Sequence, residues 1–212
     1  MSGEFRGNAW VGYFDIYGFK ALVAEQRNDL GGLAQKLQDT YDEVSKVLLP
    51  DTAIFRISDC FFITCPQTQD DPLNSLLSVQ RQVEELLRVY SERELPLRGG
   101  LAFGEVYAKG DVLIGSAVAK AYEYEQLVPC PVVVIPAREI RESKIPLTKW
   151  KASEDIATRD GIIAATLWKP RPIQDFYNLT VRMYRKYRVG GPASVAKAWY
   201  DAQRFIKTEF GL

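Results

Sequence analysis

The chain has 212 residues and not one histidine. That absence removes Ser–His and Cys–His nucleophilic catalysis, and any histidine-ligated metal centre, from what this chain can build by itself. Cysteine is scarce, with three in all. Cys60 and Cys65 fall in one strand-like stretch at odd separation, so they face opposite sides and cannot pair there. With Cys130 distant and no CxxC, neither a disulfide framework nor a thiolate zinc site is expected. Long apolar runs are missing too. "PVVVI" (131–135) is far short of a bilayer span, and "MSGEFRGN" lacks the pattern of a signal peptide, so no membrane insertion and a cytoplasmic location are expected. Net charge is also lacking, with 27 basic against 27 acidic side chains. A neutral chain has no global attraction to nucleic acid or to an anionic surface, and no nucleic-acid partner is expected. There is no GxxxxGK[ST] loop, and Gly99, Gly100 and Gly104 do not form a GxGxxG between a strand and a helix.

What the chain does have is a core, at 47% hydrophobic residues with 25% charged. "AWVGYFDIYGF" (9–19) reads as a buried strand, and 20–49 as helical, broken into two helices at Gly31-Gly32. "TAIFRIS" (52–58) and "CFFITC" (60–65) read as strands joined at Ser58-Asp59 by a tight hairpin. An amphipathic helix over 71–93 carries its apolar stripe at Leu73, Leu76, Leu77, Val83, Leu86, Leu87 and Tyr90. "LPLRGGLAFGEVYAKG" (95–110) is a strand whose glycines indicate bulging or close backbone approach. A short strand, a helix over 116–127 and the strand 131–135 follow. This β-α-α-β-β-α-β order predicts an α/β (α+β) ferredoxin-like sheet in a domain spanning 1–170. Two helices, 172–189 and 192–210, joined at Gly190-Gly191, form a C-terminal extension (171–212) that packs on this core. "RMYRKYR" (182–188) interleaves aromatics and cations, but at helical spacing it reads as a solvated amphipathic face.

Two carboxylates occupy comparable places. Asp15 ends the first strand and Asp59 sits in the hairpin after the second. In a ferredoxin-like sheet the first strand lies beside the hairpin, so the two can converge on one ion. After Asp15 the chain turns through "IYGF" into a helix, which presents backbone N–H groups to an anion. Carboxylates beside a helix start form the layout of a metal-assisted phosphoryl-transfer site. The plainer reading is a helix-capping Asp15 and a turn-forming Asp59. With no histidine, any ion there would be hard, such as magnesium or manganese.

These residues resemble the class III nucleotidyl cyclase catalytic domain. "FDIYGFKALV" is similar to its first metal motif. "AIFRISDCFFIT" resembles the second, with Ser58 in place of a glycine. "LPLRGGLAFGEVYAKGDVLIGSAVAKAYEYEQL" resembles the third stretch with its following helix, and the likeness covers about residues 9–135. The resemblance implies two Mg2+ or Mn2+ ions per site, held by Asp15, Asp59 and the Ile16 carbonyl. It implies a triphosphate cradled by the amides of Tyr17, Gly18 and Phe19, and a homodimer with its sites at the subunit interface. The substrate would be a nucleoside triphosphate.

The departures from the family pattern are as informative. The two purine-selecting positions are Phe55 and Val112, both apolar and unable to hydrogen-bond a purine edge. The transition-state asparagine and arginine positions are Ala119 and Glu123, which removes a cation from the developing charge; Lys120, Arg56 and Arg98 are the nearby cations. The stand-alone Pycsar pyrimidine cyclases also lack the purine-selecting pair and have a short chain with a helical C-terminal extension; the resemblance to them implies cyclic UMP or cyclic CMP made as an antiphage signal and read by a separate cyclic-nucleotide-binding effector. The alternative is a degenerate cyclase-homology domain that binds nucleotide or dimerises without turnover.

Overall fold

The computed structural model describes residues 4–50, 52–67, 72–127, 133–136, 151–157, 163–167, 173–191 and 193–210. The first strand, β1 (Phe5–Ile16), is followed by α1 (Phe19–Glu25) and α2 (Leu30–Val47), then the hairpin β2 (Ala53–Ile57) and β3 (Cys60–Pro66). Next come α3 (Pro72–Glu92), β4 (Leu97–Lys109), β5 (Val112–Ile114), α4 (Ser116–Gln126) and β6 (Val133–Pro136). The remaining elements are β7 (Lys151–Ala157), β8 (Ile163–Leu167), α5 (Ile173–Gly190) and α6 (Ala193–Phe210). Among the described residues the sheet has eight strands, in the order β2-β3-β1-β4-β6-β8-β7 with β5 paired to β4. The segment β2-β3-β1-β4 is the expected ferredoxin-like arrangement, with β1 antiparallel to both β3 and β4.

Alternation along the strands divides the sheet into two faces. Phe14 and Phe61 stack at 5.2 Å, and Phe61 stacks in turn on Tyr90 of α3 at 5.5 Å. That face is the dry core, where Trp10, Phe14, Leu86 and Leu101 are fully buried, each contributing about 1.5–3 kcal/mol by leaving water. On the other face, pairing aligns two rows across four strands. Ile57, Cys60, Asp15 and Arg98 form one row, and Phe55, Phe62, Tyr13 and Gly100 form the next. Helix α4 lies directly on the second row at Gly100. A Cβ there would come within 2.5 Å of the Ala121 carbonyl oxygen, so the helix can sit this close only over a glycine. Close backbone approach, the second of the two readings given to these glycines, is the one realised at Gly100.

Three sequence expectations change. The break between the first two helices lies at residues 26–29, not at Gly31-Gly32. Asp29 caps α2 by accepting a hydrogen bond from the Gly32 amide at 2.9 Å, and Gly32 is small because the Asp29 carboxylate occupies the space of a side chain. The first strand stops at Ile16, and Gly18, in the left-handed region at φ 79°, turns the chain into α1 at Phe19. Strands β7 and β8 extend the sheet beyond anything the sequence pattern indicated. "KASEDIA" is too polar to read as a strand and "IAATL" too short to tell from a helix. The helix pair α5 and α6 falls within one or two residues of expectation. Leu179 and Ala202 join the main core, while Tyr187, Ala196 and Trp199 form a second cluster with Tyr17 and Ala21 of the domain. Cys65 is buried and accepts a hydrogen bond from Gln82 Nε2 at 3.1 Å, and Cys130 lies outside the described residues.

Ser58 turns the β2–β3 hairpin with φ 58°, where a residue with a Cβ is strained. Ser58→Gly relieves that strain and is expected to stabilise the fold by about 0.5–1 kcal/mol, read as a higher urea midpoint at unchanged slope.

Candidate functional site

Asp15 is delivered by register. It is the last residue but one of β1, and it pairs with Cys60 on one side and Arg98 on the other. The strand is buried almost to its end, so the carboxylate stands at the rim of the core and is half-buried. Asp59 precedes Cys60 in the hairpin turn, which brings its carboxyl beside that of Asp15. Burial raises the Asp15 pKa first; Asp59 raises it further, by like charge and by a shared hydrogen bond; Arg98 opposes both. The outcome is an Asp15 carboxyl pushed up to about 6. The hairpin predicted from sequence therefore brings Asp15 and Asp59 together.

Two residues that sequence reasoning left unassigned or undecided complete the cluster. Arg98, named only as one of several nearby cations, donates from Nη2 to Asp15 Oδ2 at 3.2 Å. Its Nε lies against Glu125 Oε1, and its guanidinium sits 5.6 Å from the centre of the Tyr17 ring. Glu125, on α4, is fully buried. Desolvation pushes its pKa up to about 7, against the lowering effect of Arg98, and Asp15 adds to the rise. A glutamate at a buried helix position was the available signal; the helical spacing of Ala117, Ala121 and Tyr124 already placed Glu125 on the inner face. Tyr13, one row in, contacts Cys60, and burial drives its hydroxyl pKa far above the usual range.

Other expected residues fall in differing places. Ile16 is buried at the strand end. The Tyr17 amide donates to the Pro96 carbonyl at 2.7 Å and is already engaged, so of the three expected phosphate-binding amides those of Gly18 and Phe19 remain. Phe55 lines a cleft of about 530 Å³ at the β2 edge with Tyr41, Ser45, Gly110 and Asp111. The β4–β5 turn preceding Val112 thus reaches the same cleft as Phe55. Ala119 and Glu123 are on the exposed side of α4, away from the Arg98 cluster, and Arg56 is held on the opposite side of β2 by Gln38 and the Tyr41 ring. Of the two arginines, Arg98 is the one that the fold brings to Asp15.

The oxygen donors suit a hard divalent ion. Among the described residues no group of three or more His, Cys, Asp and Glu is arranged to hold a metal ion by itself. A pair of carboxylates is the set magnesium uses when substrate phosphates and water complete its shell. Holding two carboxyls together, one with a raised pKa, is unfavourable without a proton or a cation between them.

No family model and no curated protein matches the sequence. Solved structures do. The adenylyl cyclase CyaB from P. aeruginosa is similar at TM-score 0.63 and 18% identity, over 80% of this chain and 98% of that one. This chain has the class III cyclase fold. The dimeric guanylyl cyclase domain of the RhoGC fusion protein from the aquatic fungus Blastocladiella emersonii is similar at TM-score 0.58 and 16% identity, over 79% and 98% of the two chains. A class III adenylyl cyclase-like ATP-binding protein from Pseudomonas aeruginosa matches at TM-score 0.56 and 20% identity, over 76% of this chain and 38% of that one. Among the described residues no helix is long and apolar enough to cross a membrane.

The raised carboxyls make stability fall with pH. A carboxyl whose folded pKa lies above its unfolded value binds more protons folded than unfolded, so stability is lost as pH rises between the two values. For Glu125 that window runs from 4.5 to about 7. Wild type is expected to lose stability relative to Glu125→Gln across this window, measured as the difference in urea midpoints at pH 4.5 and 7.

Proposed function

We propose that the chain is a metal-dependent nucleotidyl cyclase that converts UTP or CTP to the 3′,5′-cyclic nucleotide and pyrophosphate. The observation that carries this reading is the side-by-side placement of Asp15 and Asp59 at the rim of a cyclase fold. Asp15, Asp59 and the Ile16 carbonyl would hold two Mg2+ or Mn2+ ions. When bound, the metal lowers the pKa of the ribose 3′-hydroxyl and offsets phosphate charge. The 3′-oxygen bonds to the α-phosphorus, the bond to the pyrophosphate leaving group breaks, and the hydroxyl proton passes to a carboxylate or to the substrate phosphate. The amides of Gly18 and Phe19 orient the triphosphate at the start of α1. Arg98 brings cationic charge to a site to which Ala119 and Glu123 supply none.

The apolar Phe55 and Val112 favour a base smaller than a purine, which supports the pyrimidine assignment and, with it, a role as an antiphage second messenger sensed by a separate effector. A head-to-tail homodimer fits the same face. Helix α4 covers Gly100 but leaves Ile57 61% exposed, and Val112, Ile114 and Tyr122 are exposed as well. Apolar groups of this kind are buried when a second copy adds its own face. A second reading, a nucleotide-binding domain without turnover, is favoured by the likeness to an ATP-binding cyclase-like protein and by the absence of the asparagine and arginine pair.

Incubation with each of the four NTPs and Mn2+, followed by product chromatography, separates the two. Cyclic UMP or cyclic CMP is expected. A folded dimer that binds nucleotide yet releases no pyrophosphate establishes the second reading instead. Asp15→Ala and Asp59→Ala each should lower turnover at least about 100-fold with the circular dichroism spectrum unchanged; persistent turnover in both removes them from the metal site. Phe55→Lys should shift the NTP preference, and an unaltered preference places the base elsewhere.

A further inference from the structure

Tyr17 joins two parts of the protein that the sequence keeps far apart. It lies two residues after Asp15, in the turn between β1 and α1, and its amide is fixed to Pro96 just before β4. Its ring and that of Trp199 of α6 pack edge to face, with centroids 6.0 Å apart and planes at 89°. The Arg98 guanidinium lies 5.6 Å from the ring centre, and the same guanidinium reaches Asp15 at 3.2 Å. Trp199 is 1% exposed and packs with Tyr187 and Ala196, so its position is set by the α5–α6 pair as a unit. That pair is tied to the domain around this turn by Lys186 to Glu25 at 2.5 Å and by Arg182 to Glu94 at 2.9 Å. A contact path therefore runs from the C-terminal helices through one aromatic ring to the carboxylate.

We propose that Tyr17 is a positioning residue through which the C-terminal helix pair governs the carboxylate site: Trp199 holds the Tyr17 ring, the ring seats Arg98, and Arg98 competes with metal for Asp15. The inference rests on the reading of Asp15 as a metal ligand. A guanidinium and a divalent cation compete for one carboxylate, because each repels the other at that distance. Whatever seats Arg98 more firmly makes the site harder for metal to enter. Movement of α6 away from the turn would remove the edge contact, let the Tyr17 ring turn, and weaken the cation–π attraction that helps to hold Arg98 over it. The helix pair is thus placed to act as a guard on metal loading, and a partner that grips α5 or α6 would act on the site without touching it.

The test measures Mn2+ binding to the full chain by electron paramagnetic resonance, with circular dichroism to confirm the fold. Trp199→Ala should bind Mn2+ about fivefold more tightly than wild type, and Trp199→Phe, which keeps an aromatic edge, should stay within about twofold. Tighter binding is the diagnostic sign, since general damage to the fold can only weaken a site. Tyr17→Leu, at a half-buried turn position, should tighten binding by the same factor and carries the test if Trp199→Ala does not fold. Adding Trp199→Ala, or Trp199→Phe, to Tyr17→Leu should change nothing further, because the path runs through the ring. Unchanged or weaker Mn2+ binding in folded Trp199→Ala and Tyr17→Leu, or effects of the two that multiply, overturns the proposal while the metal site stands. Wild type that binds no Mn2+ overturns the metal reading and this inference with it.

Discussion

A carboxylate at the edge of a hydrophobic sheet needs compensation, and the arrangement around Asp15 is organised by that need. Strand β1 is buried through Phe14, so Asp15 leaves water in large part simply by following it. Arg98 on the neighbouring strand supplies one positive charge, yet it is shared with Glu125, which is more deeply buried still. One guanidinium thus serves two carboxyls, with Asp59 beside Asp15, and burial holds both Asp15 and Glu125 at pKa values above their usual range. A fold gains nothing in stability from acids held above their usual range, a burden that a proton or added positive charge lifts. Retaining it makes sense if a cation arrives to remove it, and for that reason the cluster, rather than the sheet that carries it, is the centre of the functional reading.

The surrounding architecture serves this geometry. The antiparallel register of β3, β1 and β4 sets Cys60, Asp15 and Arg98 in one row, and a slip of one residue in β1 would turn Asp15 to the opposite face, into the packed aromatics. Gly100 lets α4 descend onto the sheet so that Glu125 reaches Arg98. Gly18 turns the chain immediately after the carboxylate. At the end of the chain, the α5–α6 pair does not stand apart from this centre. It places Trp199 against the very turn that follows Asp15. A helical appendage that packs on a site's own turn has a mechanical route to that site, whatever signal moves it.

Much of the fold was legible before any coordinates. The hairpin at Ser58-Asp59, the apolar stripe of α3 and the two C-terminal helices follow from local periodicity and turn chemistry, which need only neighbouring residues. The pairing of Asp15 with Asp59 was legible at one remove, through the rule that a ferredoxin-like sheet sets its first strand beside the hairpin. The helix break was misplaced because Gly31-Gly32 looks like a breaker, whereas the Asp29 side chain makes the second glycine a cap partner. Strands β7 and β8 were missed because their sequences carry no alternating pattern of their own; they exist by pairing with β6 and with each other.

By itself, then, the sequence determined which chemistry is possible: no histidine, two aspartates at strand ends, apolar residues at the positions that would select a purine. Those are properties of residue type and short-range order. Only the tertiary structure decided that Arg98 reaches Asp15 and Arg56 does not, because the two arginines are equivalent as letters and differ only in the direction their strands point them. It decided that the Tyr17 amide is already engaged, that Glu125 is buried beside Arg98, and that a tryptophan near the end of the chain touches the turn near its beginning. Contacts between residues 83 or more positions apart depend on how the sheet closes, and no local pattern encodes that.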